Sequence, residues 1–261
     1  MTKKLKVGVI GLGSMGSTHL DIYAQLSNVE VIAIADSIQS RLDGSSKAEG
    51  NISGQAQGGV RSMDAKKYLD GMDLINDPEI ELVDICVGTD LHFIFVEAAL
   101  AKGKHVLVEK PLARTYEEAK KIVQLAKNSS SNIMSAMCLR YWPAWVWLKE
   151  AIESEEYGKC LSLNCKRQTS FPGGSFYSSH EQCGGALLDL HVHDTDFVNY
   201  CFGVPVSVFS QGYKGPSGGI DHVVTNYIFD KAKFSPLVSS EGTWTMQEGY
   251  GFDMSYTANF E

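Results

Sequence analysis

Val7-Gly-Val-Ile-Gly-Leu-Gly-Ser-Met-Gly16 is the stretch that decides the fold of this 261-residue chain. Its apolar start predicts a buried strand, Leu5–Ile10, and the glycine spacing is typical of a turn that leads into a helix. Gly11 permits the sharp turn, Gly13 lets the backbone approach a pyrophosphate, and Gly16 lets the helix pack closely on the sheet. The stretch therefore predicts a dinucleotide site, with phosphates facing the free N–H groups of the helix start.

The residues after this turn complete a βαβ unit. Apolar residues recur at helical spacing after Gly16, and Val29–Ala35 is a second apolar run that is followed by Asp36. A carboxylate at that strand end is placed to accept hydrogen bonds from the ribose hydroxyls of NAD and to repel the 2′-phosphate of NADP. We expect NAD as the cofactor, and NADP stays open because Ser37 and Arg41 follow. A glycine-rich turn in another α/β domain is the alternative interpretation.

Composition places the chain among ordinary globular proteins. Its residues are 44% hydrophobic and 21% charged, and its formal net charge of −8 argues against a nucleic-acid or anionic membrane surface. We expect no signal peptide, because the apolar run after the basic N-terminus is short and leads into the glycine turn. No run approaches the ~20 apolar residues of a membrane span. The six cysteines form no CxxC pair and predict a reduced, cytoplasmic protein without a structural metal.

Strands and helices alternate in residues 1–139. A glycine-rich stretch at 37–60 predicts a frayed helix and a loop, and Thr115 and Glu118 have capping-box spacing. The other predicted elements are strands at 82–87, 105–109 and 133–138 and helices at 64–74, 89–100 and 115–126. This alternation predicts a dinucleotide-binding Rossmann domain, an α/β fold with a doubly wound parallel sheet.

Residues 140–261 predict a second, α+β domain. A helix at Pro143–Ser154 and a half-buried strand at 161–166 precede a glycine-rich loop at 171–185 and one long helix at 186–202. The remaining apolar runs predict strands at 204–213, 222–230, 237–246 and 252–260. We expect an open, mainly antiparallel sheet.

The predicted helix at 186–202 carries an unusual density of titratable groups. Asp189 and His193 are four residues apart and would share a helical face, where the carboxylate can orient the imidazole and support its protonated form. That pair suits general acid–base chemistry. His191 and His193 are two residues apart, which argues against a metal ion held by both. A helix start that carries acids for its dipole, beside a structural histidine, is the alternative.

Glu109-Lys110-Pro111 ends a predicted parallel strand. Ligands bind outside these strand ends in open α/β sheets. The proline holds the Lys110 backbone extended, which would aim the side chain at the cleft. The sequence therefore predicts a functional lysine, with a solvated strand end as the alternative.

Several motifs occur in the order of one enzyme family: Gly11-Leu-Gly-Ser-Met-Gly16, Ala35-Asp36, Asp90-Leu-His92, Val108-Glu-Lys-Pro-Leu112, Arg140-Tyr-Trp-Pro143 and Gly184-Gly-Ala-Leu-Leu-Asp-Leu-His-Val-His-Asp194. Over nearly its whole length the chain resembles the Gfo/Idh/MocA oxidoreductases. The resemblance implies an N-terminal Rossmann domain, NAD or NADP, and a sugar or cyclitol substrate. It also implies a homodimer or homotetramer formed through the open sheet of the C-terminal domain.

Carried over position by position, the resemblance implies Lys110, Asp189 and His193 as catalytic residues. The predicted cofactor-binding residues are Gly11, Leu12, Gly13, Ser14, Met15, Gly16, Asp36, Ser37, Gly88, Thr89, His92, Glu109 and Lys110. Candidate substrate contacts are the polar and aromatic residues Arg140, Tyr141, Trp142, Tyr177 and His180. A domain-interface core is an equal alternative for the aromatic ones, and Trp145 and Trp147 are predicted as core.

Two features depart from the family pattern. Val87-Gly88 stands where the family usually has Thr-Pro or Ser-Pro, and the chain ends at Glu261 in a predicted strand, where relatives continue. We expect a sheet that is short at this end, and a natural short form and a truncation both stay open. The predicted function is hydride transfer between a nicotinamide cofactor and a secondary alcohol or ketone of a sugar, cyclitol or related polyol. A non-catalytic NAD(P)-binding sensor or partner-binding protein on the same fold is the alternative.

Overall fold

The computed structural model describes residues 3–46, 64–230 and 235–261. It divides into two compact units, Met1–Ala136 and Met137–Glu261. Each unit has its own hydrophobic core. Within the described ranges, no helix is both long and apolar enough to cross a membrane.

The first unit is built on a six-stranded parallel sheet. Its strands are β1 (Leu5–Ile10), β2 (Val29–Ala35), β3 (Lys66–Tyr68), β4 (Leu82–Ile85), β5 (His105–Val108) and β6 (Ile133–Ser135). They lie in the order β3-β2-β1-β4-β5-β6, and every pair is parallel. The chain order reverses between β1 and β4. In such sheets this reversal marks the place where ligands bind, at the carboxyl ends of the strands.

Helices cover both faces of this sheet, as predicted. In the described part of the first unit they are α1 (Ser14–Tyr23), α2 (Gln39–Leu42), α3 (Gly71–Asn76), α4 (His92–Ala101) and α5 (Tyr116–Lys127). Successive strand residues point to opposite faces. Val9 therefore packs in one cluster with Leu20 of α1, whereas Ile10 packs in another with Val96 of α4.

The capping box predicted for α5 is confirmed. The Thr115 side chain accepts a hydrogen bond from the backbone N–H of Glu118 at 3.2 Å. The Glu118 carboxylate accepts one from the backbone N–H of Thr115 at 3.1 Å. These two bonds satisfy N–H groups that would otherwise lack partners at the helix start.

The helix predicted at 64–74 is wrong in its first half. Lys66–Tyr68 pairs with β2 as an edge strand, and α3 begins only after Asp70, whose carboxylate accepts a hydrogen bond from the Met72 N–H at 2.8 Å. Lys66 Nζ and Tyr68 OH both donate to Asp77 Oδ2, at 2.8 and 2.9 Å. These tertiary contacts override the helical periodicity of the sequence.

Strands β4 and β6 are shorter than predicted. Ile85 pairs with Val108 and Val108 with Ser135, and these are the last pairs of their ladders. Beyond them the chain leaves the sheet, so Cys138 lies in a 3-10 turn, Cys138–Tyr141, rather than in a strand. Of the predicted stretch 37–60, α2 is the described helix, and residues 47–60 lie outside the described residues.

The second unit carries a five-stranded sheet. Its strands are β7 (Cys160–Ser170), β8 (Ser207–Lys214), β9 (Ile220–Ile228), β10 (Leu237–Met246) and β11 (Asp253–Phe260). They lie in the order β11-β7-β10-β9-β8. Among the described strands of this sheet only β7 and β10 pair in parallel, so the sheet is mainly antiparallel, as predicted. A register shift opposite Leu161 leaves that side chain exposed, although the alternation predicted it to be inward.

The long helix predicted at 186–202 is wrong, because the structure interrupts it. The described helices of the second unit are α6 (Pro143–Ser154), α7 (Gly174–Tyr177), α8 (His180–Cys183), α9 (Gly185–Asp189) and α10 (Val192–Phe202), so 186–202 is covered by two helices. The backbone N–H of His191 donates to the carbonyl of Ala186, five residues back, at 2.8 Å. The His191 ring is buried and lies 3.0 Å from Thr225 Oγ1 of β9. This contact with the sheet ends one helix and starts the next.

Candidate active site

The glycine turn after β1 has the geometry that its sequence predicts. Gly11 has a φ of 91°, and its N–H donates to the carbonyl of Ala35 at 2.8 Å. A Cβ on Gly16 would lie 1.8 Å from the Gly11 carbonyl oxygen, so only glycine lets α1 pack here. A Cβ on Gly13 would meet nothing within 4 Å. The turn is therefore crowded at Gly11 and Gly16 and open at Gly13.

Asp36 links the end of β2 to this turn. It is buried, and its Oδ2 accepts a hydrogen bond from the backbone N–H of Leu12 at 2.8 Å. Its Oδ1 accepts one from the N–H of Ile38 at 2.8 Å, and Arg41 Nη1 lies 3.3 Å from Oδ2. A carboxylate has about four lone-pair sites, so capacity is left for a ribose hydroxyl. Arg41 is paired with the carboxylate, and Ser37 is exposed beside it.

The loop that follows β4 is held in place by contacts of a buried histidine. Thr89 opens a 3-10 turn and is buried, and Gly88 before it is half-buried. His92 is also buried, with Nδ1 2.9 Å from the carbonyl oxygen of Pro111 and Nε2 3.2 Å from that of Val87. Burial lowers the pKa of His92. His92, predicted to bind the cofactor, is placed where it fixes the loops after β4 and β5.

Lys110 follows β5 directly. It is half-buried, and its backbone N–H donates to Oε2 of Glu109 at 2.9 Å. The peptide bond between Lys110 and Pro111 is cis. Because all six strands are parallel, Gly11, Asp36, Gly88 and Lys110 follow strand ends on one edge of the sheet. The structure thus brings the predicted residues of the first unit together.

A buried polar cluster that the sequence did not predict lies beneath this edge. His19 Nδ1 lies 2.8 Å from Asp84 Oδ2, and His19 Nε2 lies 3.2 Å from Glu109 Oε1. Tyr23 OH donates to Asp84 Oδ2 at 2.9 Å, and Cys86 Sγ lies 3.4 Å from His19 Nδ1. One signal was available: Asp84 is a carboxylate inside the otherwise apolar strand Leu82–Ile85.

This cluster has the atoms of a metal site but the geometry of hydrogen bonds. The donor atoms of His19, Asp84 and Cys86 all lie within 4.8 Å of one another. Both ring nitrogens of His19, however, lie at hydrogen-bond distance from carboxylate oxygens. We therefore interpret the cluster as a hydrogen-bonded ion pair network.

In the second unit, Asp189 and His193 lie on different helices. Asp189 is the last residue of α9, and His193 lies in the first turn of α10. Both are half-buried. Asp189 and His193 do not share one helical face as predicted, because the helix is interrupted between them. His191 is buried against the sheet, and burial lowers its pKa.

A buried ion pair anchors the helix that carries His193. Arg167 of β7 donates through Nε and Nη2 to the two oxygens of Asp194, at 2.9 and 3.1 Å. Both residues are at most 2% exposed. A bidentate pair of this kind fixes the first turn of α10 on the sheet.

Of the residues predicted to contact the substrate, some already have partners within the protein and others are exposed. Arg140 donates to both oxygens of Asp196, at 2.9 and 2.6 Å, so its guanidinium is already paired. Tyr177 packs on Trp244 with ring centroids 5.7 Å apart, and His180 is half-buried. Trp142 and Tyr141 are exposed.

One of the two tryptophans that were predicted to lie in the core is buried there. Trp145 is buried, whereas Trp147 is 49% exposed and lies beside Tyr157 with ring centroids 6.0 Å apart. The two are two residues apart on α6, so they cannot share its buried face.

Both units match known protein domains. Residues 5–137 match an oxidoreductase family with an NAD-binding Rossmann fold. Residues 145–258 match the GFO/IDH/MocA C-terminal domain.

Individual relatives are dehydrogenases. Myo-inositol 2-dehydrogenase of Thermotoga maritima is 27% identical over 256 residues, which cover 95% of this chain and 71% of that protein. Inositol 2-dehydrogenase of Salmonella paratyphi B is 34% identical over 198 residues, covering 75% of this chain and 54% of that protein. Levoglucosan dehydrogenase, solved with NADH and levoglucosan, is 25% identical with a TM-score of 0.84, covering 99% of this chain and 71% of its own. The chain thus spans between 54% and 71% of the length of these relatives.

Proposed function

This chain belongs to the Gfo/Idh/MocA oxidoreductase family, and we propose that it is an NAD-dependent dehydrogenase that acts on a secondary alcohol or ketone of a sugar, cyclitol or related polyol. The observation that carries the proposal is the carboxyl edge of the parallel sheet, where the open Gly13 follows β1, the buried Asp36 follows β2 and Lys110 follows β5. The relatives named inositol and levoglucosan dehydrogenases support the substrate class.

The residues at this edge fit a dinucleotide. Gly13 leaves open space for a phosphate beside the first N–H groups of α1, and as the N-cap residue it has no side chain that could cap the helix. These N–H groups and the helix dipole favour an anion. Asp36 retains lone pairs for ribose hydroxyls and repels a 2′-phosphate, so we favour NAD over NADP. When bound, NAD supplies the group that accepts or donates the hydride.

Three side chains share the chemistry in this proposal. His193 takes the proton of the substrate hydroxyl when the alcohol is oxidised and returns it in the reverse direction. The Lys110 ammonium donates a charge-assisted hydrogen bond that stabilises the negative charge developing on the substrate. Asp189 accepts a hydrogen bond from the His193 imidazole and stabilises its charged form. The half-burial of all three supports these roles, because partial burial strengthens such contacts.

The sheet of the second unit is the proposed oligomer interface. One face of this sheet packs against its own helices. The opposite face, which we call the open face, exposes apolar side chains of β8 and β9: Phe209, Tyr213, Val224 and Ile228. Exposed apolar groups of this kind mark interaction sites. We propose that a second copy covers the open face, giving a homodimer or a homotetramer.

Two further proposals follow from composition. The six cysteines all lie in the described residues and are free thiols, which supports a reducing, cytoplasmic location. The acidic net charge of −8 supports a small-molecule partner rather than a nucleic acid or a membrane.

An absorbance assay at the NADH band tests the function. The purified chain is offered NAD⁺ with a panel of cyclitols, sugars and anhydrosugars. We expect reduction of NAD⁺ with at least one of them, and reoxidation of NADH by the matching ketone. Tight NADH binding without turnover on any panel member would instead support the alternative of a non-catalytic NAD(P)-binding sensor.

A further inference from the structure

The His19 imidazole lies between two buried carboxylates of the first unit. Its Nδ1 is 2.8 Å from Asp84 Oδ2, and its Nε2 is 3.2 Å from Glu109 Oε1. The Asp84 side chain is fully buried, and those of His19 and Glu109 are 13% and 9% exposed. The ring therefore joins three elements, α1, β4 and the end of β5.

The second oxygen of Glu109 extends this contact to the lysine. Glu109 Oε1 faces the His19 ring, while Oε2 accepts the backbone N–H of Lys110 at 2.9 Å. A continuous path of hydrogen bonds thus runs from His19 through the Glu109 carboxylate to the Lys110 backbone.

The charges of the cluster favour an imidazolium. Burial opposes the charged ring, but hydrogen bonds to Asp84, Cys86 and Glu109 raise the pKa of His19 far above its ordinary value. Burial likewise opposes ionisation of Glu109, yet His19 and the Lys110 ammonium lower its pKa. Burial and Asp84 raise the pKa values of Tyr23 and Cys86, so both remain neutral. One cation thus bridges two carboxylates.

We propose that His19 is a positioning residue for catalysis: its ring holds the Glu109 carboxylate against the Lys110 backbone and so fixes where the lysine side chain starts. The inference rests on the proposed function only for the role of Lys110. The contact itself belongs to the fold of the first unit. In the folded protein it ties α1, the helix after the glycine turn, to the strand end that carries the lysine.

Loss of the ring has a defined electrostatic consequence. In a His19→Gln variant, the buried Glu109 keeps the Lys110 ammonium nearby but loses the imidazolium, so burial raises its pKa above that in the wild type. As the pH falls, Glu109 takes up a proton that it does not take up in the wild type over the same range. The Lys110 backbone N–H then donates to a neutral carboxyl group instead of a carboxylate, and this weaker hydrogen bond holds the lysine less well. Activity therefore falls on the acid side of the pH profile.

The charge of His19 is measured first, in the wild type and without any substrate. Nitrogen NMR of selectively labelled histidine is expected to show both ring nitrogens of His19 protonated from pH 6 to pH 9. His105 serves as the internal reference, because its Nδ1 accepts the backbone N–H of Asn132. A neutral His19 ring at pH 7 contradicts the inference, whether or not a variant folds and whether or not a substrate is known.

Kinetics then test the positioning role. We expect His19→Gln to lower kcat roughly 10-fold to 100-fold, the size of effect that a small misplacement of a catalytic group produces. NADH affinity is expected to stay within about 3-fold, and a new acidic limb to enter the pH profile of kcat. Adding Glu109→Gln to His19→Gln should abolish that limb, because the titrating group is removed. His105→Gln is the matched control and should change neither kcat nor its pH profile.

Each result separates the inference from the proposed function. A wild type without turnover on any polyol contradicts the proposed function, while NMR still tests the contact. An active His19→Gln variant that behaves like His105→Gln contradicts the inference alone. An acidic limb that persists in the double variant assigns the effect to Asp84, and it also contradicts a path through Glu109.

Discussion

Gly13 is the residue whose replacement separates cofactor binding from folding. A Cβ there meets no protein atom within 4 Å, so Gly13→Val should fold normally, while its side chain fills the approach to a phosphate. We expect NADH affinity to fall at least about tenfold, equivalent to about 1.4 kcal/mol. Fluorescence titration measures it. Gly251→Val, also in open space, is the control. Unchanged affinity in a folded Gly13→Val variant would place the cofactor elsewhere.

Asp36 decides the choice between cofactors. Asp36→Asn keeps an oxygen that accepts the Leu12 N–H and removes the negative charge. Two unit charges at ~4 Å and an effective dielectric constant near 20 repel by about 4 kcal/mol, and a third of that is roughly tenfold in affinity. We expect the affinity ratio of NADPH to NADH to rise at least about tenfold.

Titration of both reduced cofactors checks this ratio, with the exposed Asp43→Asn as the control. The wild type should bind NADH more tightly. A wild type that binds NADPH more tightly, or an Asp36→Asn variant whose affinity for NADPH does not rise, means that Asp36 does not contact the ribose.

Single residues also show what the sequence could and could not reveal. Gly11 and Gly16 were predictable because a positive φ and a close backbone approach leave one residue type. His19 was not predictable, because it lies three residues beyond the glycine motif and its partners Asp84 and Glu109 come from distant strands. Contacts between such distant positions leave no local pattern.

At the scale of elements, periodicity predicted the elements that local signals define. β1, β2 and α6 have the predicted bounds, and α5 starts at its capping box. The long helix at 186–202 failed because its break is made by the contact of His191 with Thr225 on the sheet. Its sequence has no proline or glycine to mark the break.

The ion pair of Arg167 and Asp194 should stabilise α10 strongly. Asp194→Asn leaves the Arg167 guanidinium buried without a charged partner, and breaking such a pair costs about 3–5 kcal/mol. Urea unfolding measures the loss. Glu153→Gln is the control, because its pair with Lys149 is on the surface and is worth less than about 1 kcal/mol. A loss below about 1 kcal/mol in Asp194→Asn would show that the pair does not anchor the helix.

At the scale of the whole molecule, the open face predicts assembly. A Phe209→Lys substitution puts a charge among the apolar side chains of that face, where burial against a second copy would be costly. We expect light scattering to show a smaller mass for this variant than for the wild type. Val204→Lys, exposed but outside the strands, is the control and should not change the mass. A monomeric wild type would contradict the interface.

The proposed reaction assigns a role to Lys110 and a role to His193. Lys110→Met keeps most of the side-chain length and removes the charge. We expect it and His193→Ala each to lose roughly 10²-fold to 10⁴-fold in kcat while NADH affinity stays within a small factor. Near-normal turnover of either variant would show that its residue does not have the assigned role.

Transfer of deuterium tests the central claim most directly. The wild type is incubated with NAD⁺ and with the substrate that the panel assay identifies, deuterated at its carbinol carbon. The mass of the reduced cofactor is then measured by mass spectrometry. Direct hydride transfer predicts one deuterium in each molecule of reduced cofactor, formed at a rate that falls in Lys110→Met as kcat does. Reduced cofactor without deuterium, or no reduced cofactor with any polyol, would contradict the account.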